Sequence, residues 1–230
     1  GRPNRNHDSS WPAEQLLPLP EKYWPQNKNE LLTWATERVK THLTSSLERM
    51  KNEWSKHDRK AGQWEDVDVE RCHMMGNNGI LMHIDEVEKC FTTVSNTILQ
   101  EWRNGTRPQW PAPDGRGFQL DQHPLSQDGN VTWIESWEIS RPWFVDPDAK
   151  PFMMNVVHPE HWFQGEYDLV YSWDGTIRII DIKASLGNND RSGDYVKQLR
   201  MYAFLWWHTH GKQQQVDGLE IWYLAANSQK

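Results

Sequence analysis

The sequence is poor in cysteine and has no long apolar stretch. Only Cys72 and Cys90 are present, and they form no CxxC pair, so neither a disulfide framework nor a thiolate metal cluster is indicated. No run of about 18 apolar residues occurs, which argues against a membrane span, and the first residues lack the apolar segment of a signal peptide. We therefore expect a soluble protein of the cytoplasm.

Basic residues are also fewer than acidic ones. Lys and Arg number 25 against 32 Asp and Glu, giving a net charge of -7 and a pI of about 5.8. This balance argues against indiscriminate binding to nucleic acid but leaves room for a local basic groove. The length of 230 residues fits one domain with its own core, and no internal repeat is visible.

The N-terminal part divides into an extended segment and helices. Residues 1–28 are rich in proline and polar residues, whereas apolar residues recur every three or four positions over 29–57, which predicts a long amphipathic helix. Residues 61–78 are interpreted as a linker. A second helix is predicted over 79–102, with His83 on its apolar face. A lone histidine there is usually a core residue with one hydrogen bond, so a ligand role needs further support.

The C-terminal part mixes strands and helices. Residues 131–140 alternate and predict a strand that contains Glu138, a short strand is expected within 152–157, and a further strand over 219–225. A helix is predicted from Ser192 or Asp194 to about residue 210. This order predicts an α/β fold with a mixed central β-sheet flanked by helices.

The stretch from 165 to 183 predicts a β-hairpin. Two apolar runs, YDLVYSW and TIRIIDIK, are joined by Asp174 and Gly175, and an Asp-Gly pair favours a two-residue turn in which both residues have positive φ. With that turn, Asp168 lies directly opposite Asp181. Because side chains alternate along a strand, Lys183 shares the face of Asp181, while Ile180 and Ile182 point to the other face.

Two facing carboxylates need compensation. Like charges opposite each other destabilise a sheet, and a divalent cation such as magnesium, which prefers carboxylate oxygens, would relieve the repulsion. Gln198 and Tyr202 are four residues apart and share one helix face. Alone they would suit a solvated face, but their place just after the hairpin also allows them to project toward the same site.

Four short motifs follow one another along the chain: GILMH at 79–83, GEYD at 165–168, DIK at 181–183 and QLRMY at 198–202. In this order and spacing they resemble the RecB-like branch of the PD-(D/E)XK nuclease superfamily, over roughly residues 78–225. The resemblance implies a restriction-endonuclease-like core over 78–230 with an irregular insertion around 104–130. Residues 1–77 lie outside the resemblance, and their composition and periodicity predict an N-terminal extended segment and a long helix packed on that core.

The resemblance also implies roles for individual residues. His83, Asp168, Asp181 and the main-chain carbonyl of Ile182 would hold Mg²⁺ or Mn²⁺. Lys183 would orient or deprotonate the attacking water or stabilise the phosphate, and Gln198 and Tyr202 would position the site or the nucleic-acid backbone. We expect Arg178, Lys197 and Arg200 to contact the substrate. Glu138 would lie outside the metal ligands and support them. The four-cysteine iron–sulfur cluster of some relatives is not expected, since the cysteines are missing.

The implied activity is a metal-dependent deoxyribonuclease, a RecB-like exonuclease of DNA repair, recombination or defence acting on single- or double-stranded DNA. A protein partner would bind through the N-terminal segment. Two alternatives remain: a non-catalytic nucleic-acid-binding or scaffold domain of the same fold, and a metal phosphoesterase acting on RNA or a small substrate. The intact aspartates and lysine count against the first, and the acidic net charge keeps the second.

Overall fold

A computed structural model describes residues 25–54, 62–103, 129–144, 155–157, 164–185, 192–209, 212, 214–226 and 228–229. Its helices and strands follow one another in this order: α1 (Lys28–Glu53), a 3₁₀ turn (Trp64–Asp66), α2 (Val69–Thr93), α3 (Asn96–Arg103), α4 (Trp133–Ile139), β1 (Trp143–Phe144), β2 (Asn155–Val157), β3 (Gln164–Glu166), β4 (Leu169–Tyr171), β5 (Arg178–Lys183), α5 (Ser192–Thr209), β6 (Gly218–Tyr223) and β7 (Ser228–Gln229).

The main sheet has the strand order β1-β4-β5-β6-β7, so β5 lies at its centre. Strands β5 and β6 are parallel, whereas the β1–β4, β4–β5 and β6–β7 pairs are antiparallel. A parallel pair needs a crossover connection, and the segment that contains α5 provides it. Strands β2 and β3 form a separate antiparallel pair. The predicted mixed sheet flanked by helices is confirmed.

The two faces of the sheet pack against different helices. On one face, side chains of β4, β5 and β6 meet residues of α2 and α3: Tyr171, Ile180, Trp222, Met82, Cys90, Leu99 and Trp102. On the other face, side chains of the same strands meet α5: Val170, Ile179, Ile221, Tyr223, Leu199, Leu205 and Trp206. This alternation decides which site residues share a face.

Helices α1 and α4 cover the side of α2 that faces away from the sheet. Leu31 and Ala35 of α1 are buried against Ile84 and Val87 of α2, with tryptophans of α4 packed beside them. The helix predicted over 29–57 is therefore present as α1. Its first turn is capped by Asn27, whose side chain accepts a hydrogen bond from the Glu30 N–H at 3.0 Å, as N-cap asparagines commonly do.

The linker predicted over 61–78 is wrong in its second half, because α2 already begins at Val69. Asp68 caps it by accepting a hydrogen bond from the Arg71 N–H at 2.9 Å. The single helix predicted over 79–102 is also wrong, since α2 ends at Thr93 and α3 begins at Asn96. The break coincides with β-branched residues, which fit helices poorly, and Ser95 restarts the helix by accepting a hydrogen bond from the Ile98 N–H at 3.2 Å.

The strand predicted over 131–140 is wrong, because Trp133–Ile139 forms α4. A capping box explains the helix: the Thr132 hydroxyl accepts from the Glu135 N–H at 3.2 Å, and the Glu135 carboxylate accepts from the Thr132 N–H at 2.8 Å. Arg103 of α3 completes the arrangement with a buried ion pair to Glu135 at 2.8 Å. Glu138 therefore lies in a helix and not in a strand beside the hairpin, and its side chain is outside the described part.

The register of the hairpin is as predicted, but its turn is longer. Leu169 pairs with Ile180, Val170 with Ile179 and Tyr171 with Arg178. Six residues separate the two strands, and Gly175, at φ 87°, has positive φ whereas Asp174 does not. The Asp174 carboxylate instead accepts hydrogen bonds from the N–H and hydroxyl of Thr176, at 3.1 and 2.6 Å, a local turn that aspartate favours.

The remaining expectations have mixed outcomes. The predicted helix from residue 192 and strand from 219 are present as α5 and β6, and β2 occupies part of 152–157. Residues 1–24, most of the insertion at 104–130 and the loop 186–191 lie outside the described residues. The division at residues 77 and 78 falls inside α2 and stays a prediction. Among the described helices, none is long and apolar enough to cross a membrane.

The two motif glycines provide a test of the packing between α5 and β3. A Cβ added at Gly165 would lie 2.8 Å from Leu205 Cδ1 and 3.1 Å from Tyr202 Cε1, whereas one at Gly79 would lie 3.5 Å from Leu224 Cδ2. We expect Gly165→Ala to lower the free energy of unfolding by about 1–3 kcal/mol through overpacking. Gly79→Ala, inside a helix, should raise it by about 0.5–1 kcal/mol.

Urea unfolding of both variants and the unchanged protein measures these two changes. Equal stabilities for the two variants, or a greater loss in Gly79→Ala, would contradict the close approach of α5 to β3.

Candidate active site

Asp181 lies on the central strand and is 2% exposed. Its Oδ2 atom is 2.6 Å from Lys183 Nζ, the distance of a close ion pair. The same buried oxygen has no hydrogen bond of acceptable angle, so the ammonium lies close without satisfying it fully. Asp181 thus offers a buried carboxylate oxygen that is paired with a cation.

Asp168 lies in the bend between β3 and β4, next to the same part of β5. Its Oδ2 atom accepts a hydrogen bond from the Ile182 N–H at 2.7 Å. This contact places the Asp168 carboxylate at the peptide that joins Asp181 to Ile182, one step beyond the Leu169–Ile180 pair of the ladder. The structure therefore brings the two aspartates to one position on the central strand.

Lys183 is held by three neighbours on the α5 face. Besides Asp181, its Nζ atom donates to Gln198 Oε1 at 3.5 Å and lies 4.8 Å from the centre of the Tyr195 ring. Gln198 in turn donates from Nε2 to the Tyr202 hydroxyl at 2.9 Å. One amide thus links the lysine of β5 to the tyrosine one turn further along α5.

Gly165 connects this helix to the first aspartate. The ring of Tyr202 and the side chain of Leu205 occupy the space where a side chain at residue 165 would stand. Tyr167 also packs edge-on against Tyr202, with ring centres 5.5 Å apart, and donates from its hydroxyl to the Tyr202 carbonyl at 3.3 Å. The segment leading to Asp168 is therefore packed directly on the helix that carries Gln198 and Tyr202.

His83 lies elsewhere. Its Nδ1 atom and the Tyr171 hydroxyl are hydrogen-bonded at 2.9 Å, and its ring packs edge-on against Trp137 at 4.7 Å. Tyr171 points to the α2 face of the sheet, opposite to Asp181 and Lys183. In the part of the chain that the structure describes, no group of three histidine, cysteine or acidic side chains is arranged to hold a metal ion. The structure does not bring His83 to the two aspartates.

Burial explains the protonation of this pair. Removal from water, with a smaller contribution from Arg141, lowers the pKa of His83 to about 3, so the imidazole is neutral near pH 7. Burial, with the Glu86 carboxylate adding to it, raises the pKa of Tyr171 well above its usual value, so the hydroxyl stays protonated. A neutral histidine bonded to a protonated tyrosine is typical of a buried structural contact.

The three predicted substrate contacts and Glu138 lie in different parts of the fold. Arg178 is on the α2 face with a side chain 15% exposed, and it pairs with Glu86 and, at 3.4 Å, with Glu220. Its charge is thus already compensated, and the structure does not place it beside Lys183. Lys197 and Arg200 are exposed on α5, the helix that carries Gln198 and Tyr202. Glu138 belongs to α4, which packs against α1 and α2.

Sequence reasoning missed Tyr195. It stands three residues before Gln198 and seven before Tyr202, and such spacings share one face of a helix. That periodicity was available in the sequence and would have drawn attention to it. The ion-pair group of Glu86, Arg178 and Glu220 carried no comparable signal, because its members come from α2, β5 and β6 and meet only through the fold.

The donor types at the two aspartates fit a hard divalent cation. Mg²⁺ commonly uses one or two carboxylates and completes its shell with water and substrate phosphate oxygens. Asp168 and Asp181 provide the carboxylates, the buried Asp181 Oδ2 atom already attracts one cation, the Lys183 ammonium at 2.6 Å, and the adjacent Ile182 carbonyl is a further hard oxygen. The fit rests on two acidic residues and does not need His83.

Comparison with known proteins identifies the family of the chain. A family model described as the PD-(D/E)XK nuclease superfamily matches residues 5–230, a span that also includes α1 and most of the N-terminal segment. The chain belongs to this superfamily. Neither the curated proteins nor the solved structures gave a match. Membership supports a nuclease-type hydrolase, and members typically use divalent metal ions.

The depressed pKa of His83 predicts a pH dependence of stability. An unfolded histidine titrates near 6.5 and the folded one near 3, so between these values the unfolded chain binds the additional proton. Stability therefore falls as the pH falls from 6.5 toward 3. Compared with His83→Gln, which cannot titrate, the unchanged protein should lose about 2 kcal/mol more between pH 7 and pH 5.

Chemical unfolding at several pH values measures this difference, and the carboxylates common to both proteins cancel in the comparison. Parallel pH profiles for the two proteins would show that His83 is not buried in its neutral form.

Proposed function

We propose that the protein is a metal-dependent deoxyribonuclease of the RecB-like branch, acting as an exonuclease in DNA repair, recombination or defence. The observation that carries the proposal is the convergence of Asp168, Asp181 and Lys183 on one short part of β5. Carboxylates with a cation beside them, on the central strand of a mixed sheet, suit hydrolysis of a phosphodiester. The order of the four sequence motifs supports the RecB-like branch.

Asp168 and Asp181, with the Ile182 carbonyl, would hold Mg²⁺ or Mn²⁺. When bound, such an ion lowers the pKa of a water molecule that it coordinates and neutralises charge on the scissile phosphate. Asp168 already has one oxygen fixed by the Ile182 N–H, so its carboxylate is oriented before any ligand arrives. His83 is left out of this set, because its contacts lie on the other face of the sheet.

Lys183 would act on the phosphate. Its ammonium lies 2.6 Å from Asp181, and a positive group placed where negative charge develops stabilises the transition state. Gln198 accepts one of its N–H groups and the face of Tyr195 lies beside it, so the side chain is held over the carboxylate. Tyr202 fixes the Gln198 amide from the other end.

The exposed side chains of Lys197 and Arg200 would meet the DNA backbone. Both lie on the helix that carries the Gln198–Tyr202 pair, and cationic side chains on such a surface position nucleic acid by binding phosphates. This local positive charge would allow DNA to bind although the whole chain carries a net charge of -7.

The activity is tested with linear and circular DNA, each single- and double-stranded, and with RNA, in Mg²⁺ or Mn²⁺. We expect degradation of linear DNA and not of circular DNA. Asp181→Asn and Lys183→Ala should each lower the rate by about 100-fold or more, because each removes a group that contacts the reacting phosphate or its metal ion. Chelation of the metal with EDTA should abolish the activity, and restored metal should return it.

The matched control is Lys40→Ala, which removes an exposed cation from α1 and should leave the rate unchanged. If the unchanged protein cleaves none of these substrates, or if the two site variants cleave as fast as Lys40→Ala, the proposal fails. Cleavage confined to RNA would replace deoxyribonuclease by the RNA-directed alternative.

A further inference from the structure

The outward face of α5 exposes apolar side chains. Val196, Met201 and Phe204 are 40, 46 and 39% exposed, and within the described part of the chain they are three of the five large apolar residues that are exposed. Met201 and Phe204 are three residues apart and are therefore neighbours on the helix surface. Adjoining apolar side chains at a protein surface commonly mark a binding site.

The last two turns of α5 carry three adjacent rings. The ring centres of Phe204 and His208 are 4.3 Å apart, and His208 packs edge-on against Trp207 at 4.9 Å. The Lys212 ammonium lies 5.6 Å from the centre of the Trp207 ring, within the range of a cation–π contact. Trp207 and His208 are half-buried, whereas Phe204 is exposed. Phe204 is thus supported by a neighbouring ring and still has surface in contact with solvent.

The same face carries positive charge. Lys197 and Arg200 are exposed and precede Phe204 by seven and four residues, spacings that place all three on one side of the helix. The only acidic residue of α5, Asp194, lies in its first turn. Within the described residues, neither Lys197 nor Arg200 forms a salt bridge. The face therefore combines two uncompensated cations with an exposed ring.

This face borders the proposed active site. Gln198, the neighbour of Lys197 in the chain, contacts Lys183, and Tyr202, the neighbour of Met201, contacts Gln198. Successive residues of a helix are separated by about a quarter of a turn. The exposed side chains thus lie along the edge of the helix face that carries the Gln198–Tyr202 pair, and a polymer bound to them lies beside the site.

Positive charge and an exposed ring together fit unpaired nucleotides. Cations bind the phosphates of any nucleic acid, but a base can stack on an aromatic side chain only when it is not stacked inside a duplex. An apolar protein surface would cover Met201 and Phe204, but it would also bury Arg200 without a counter-charge, at a cost in free energy. The mixture of charges and ring therefore favours a single strand over an apolar partner.

We propose that the outward face of α5 binds single-stranded DNA, with a base stacked on Phe204 and the neighbouring phosphates held by Arg200 and Lys197. Met201 packs against the edge of the stacked base. This inference rests on the function proposed above, because it gives that nuclease a preference for unpaired strands. It adds a binding surface that lies outside the two aspartates and Lys183.

The test measures binding in EDTA, so that no metal-dependent cleavage occurs, by fluorescence anisotropy of labelled DNA of equal length. The probes are oligothymidylate, a strand of abasic sites that keeps the phosphates without the bases, and a duplex. We expect oligothymidylate to bind about tenfold or more tightly than the abasic strand, because stacking of one base on a ring changes affinity by about that factor. It should also bind more tightly than the duplex.

Four variants locate the binding. Phe204→Leu keeps an apolar side chain without the flat ring, so it should weaken oligothymidylate about tenfold and leave the abasic strand unchanged. Phe204→Trp keeps a ring and should retain binding. Arg200→Gln should weaken both single strands and make the slope of log affinity against log salt shallower by about 0.7. Lys40→Gln removes the same charge from an exposed position of α1 and should change neither value.

The proposal is overturned if no strand binds, if the abasic strand binds as tightly as oligothymidylate, if Phe204→Leu weakens both strands equally, or if the duplex binds most tightly. Base-dependent binding without cleavage in Mg²⁺ or Mn²⁺ would remove the proposed nuclease activity and support this surface. Cleavage without base-dependent binding would support the nuclease and remove this surface, so the two failures are distinguishable.

Discussion

The register between β4 and β5 is the constraint on which the rest of the site depends. It places Leu169 opposite Ile180 and so delivers Asp168 to the Ile182 N–H, beside the buried carboxylate of Asp181. A shift of one residue would send these side chains to the opposite face of the sheet. Both faces of the hairpin are apolar and covered by helices, so the packing of either one opposes such a shift.

The α5 face adds the groups that act around the aspartates. The connection from β5 to the parallel strand β6 passes over this face, and α5 thereby brings Tyr195, Gln198 and Tyr202 to Lys183. Gly165 allows the helix to approach closely, since the Tyr202 ring fills the place of a side chain there. The glycine of one motif and the tyrosine of another are therefore parts of one packing contact.

Charged residues of similar type have different partners because they lie on opposite faces of the sheet. Lys183 and Arg178 are both on β5, yet the lysine lies with Asp181 and the arginine lies with Glu86 and Glu220 on the opposite face. His83 belongs with the arginine side through Tyr171. A titratable residue near a motif is thus not necessarily a ligand, and the strand alternation distinguishes the two cases.

Local chemistry made part of this predictable. The alternation of side chains along a strand determined the hairpin faces, the Asp174-Gly175 pair centred its register, and a helical period determined α1 and α5, because these signals depend on neighbours in the chain. The same alternation misled at residues 131–140, where Trp133 and Trp137 also fit a helix and the capping box of Thr132 and Glu135 decided the outcome. The prediction of a two-residue turn was also wrong because of a local contact, since the Asp174 carboxylate accepts hydrogen bonds from Thr176.

By itself, the sequence determined that Asp181 and Lys183 share one face of a strand, because a period of two residues follows from the geometry of the strand, and that Asp168 lies beside them across the hairpin. Only the tertiary structure decided that Tyr195 flanks the lysine and that His83 bonds to Tyr171. These contacts join segments far apart in the chain or depend on which side of a helix is covered. The packing of whole elements decides both, and no local pattern encodes it.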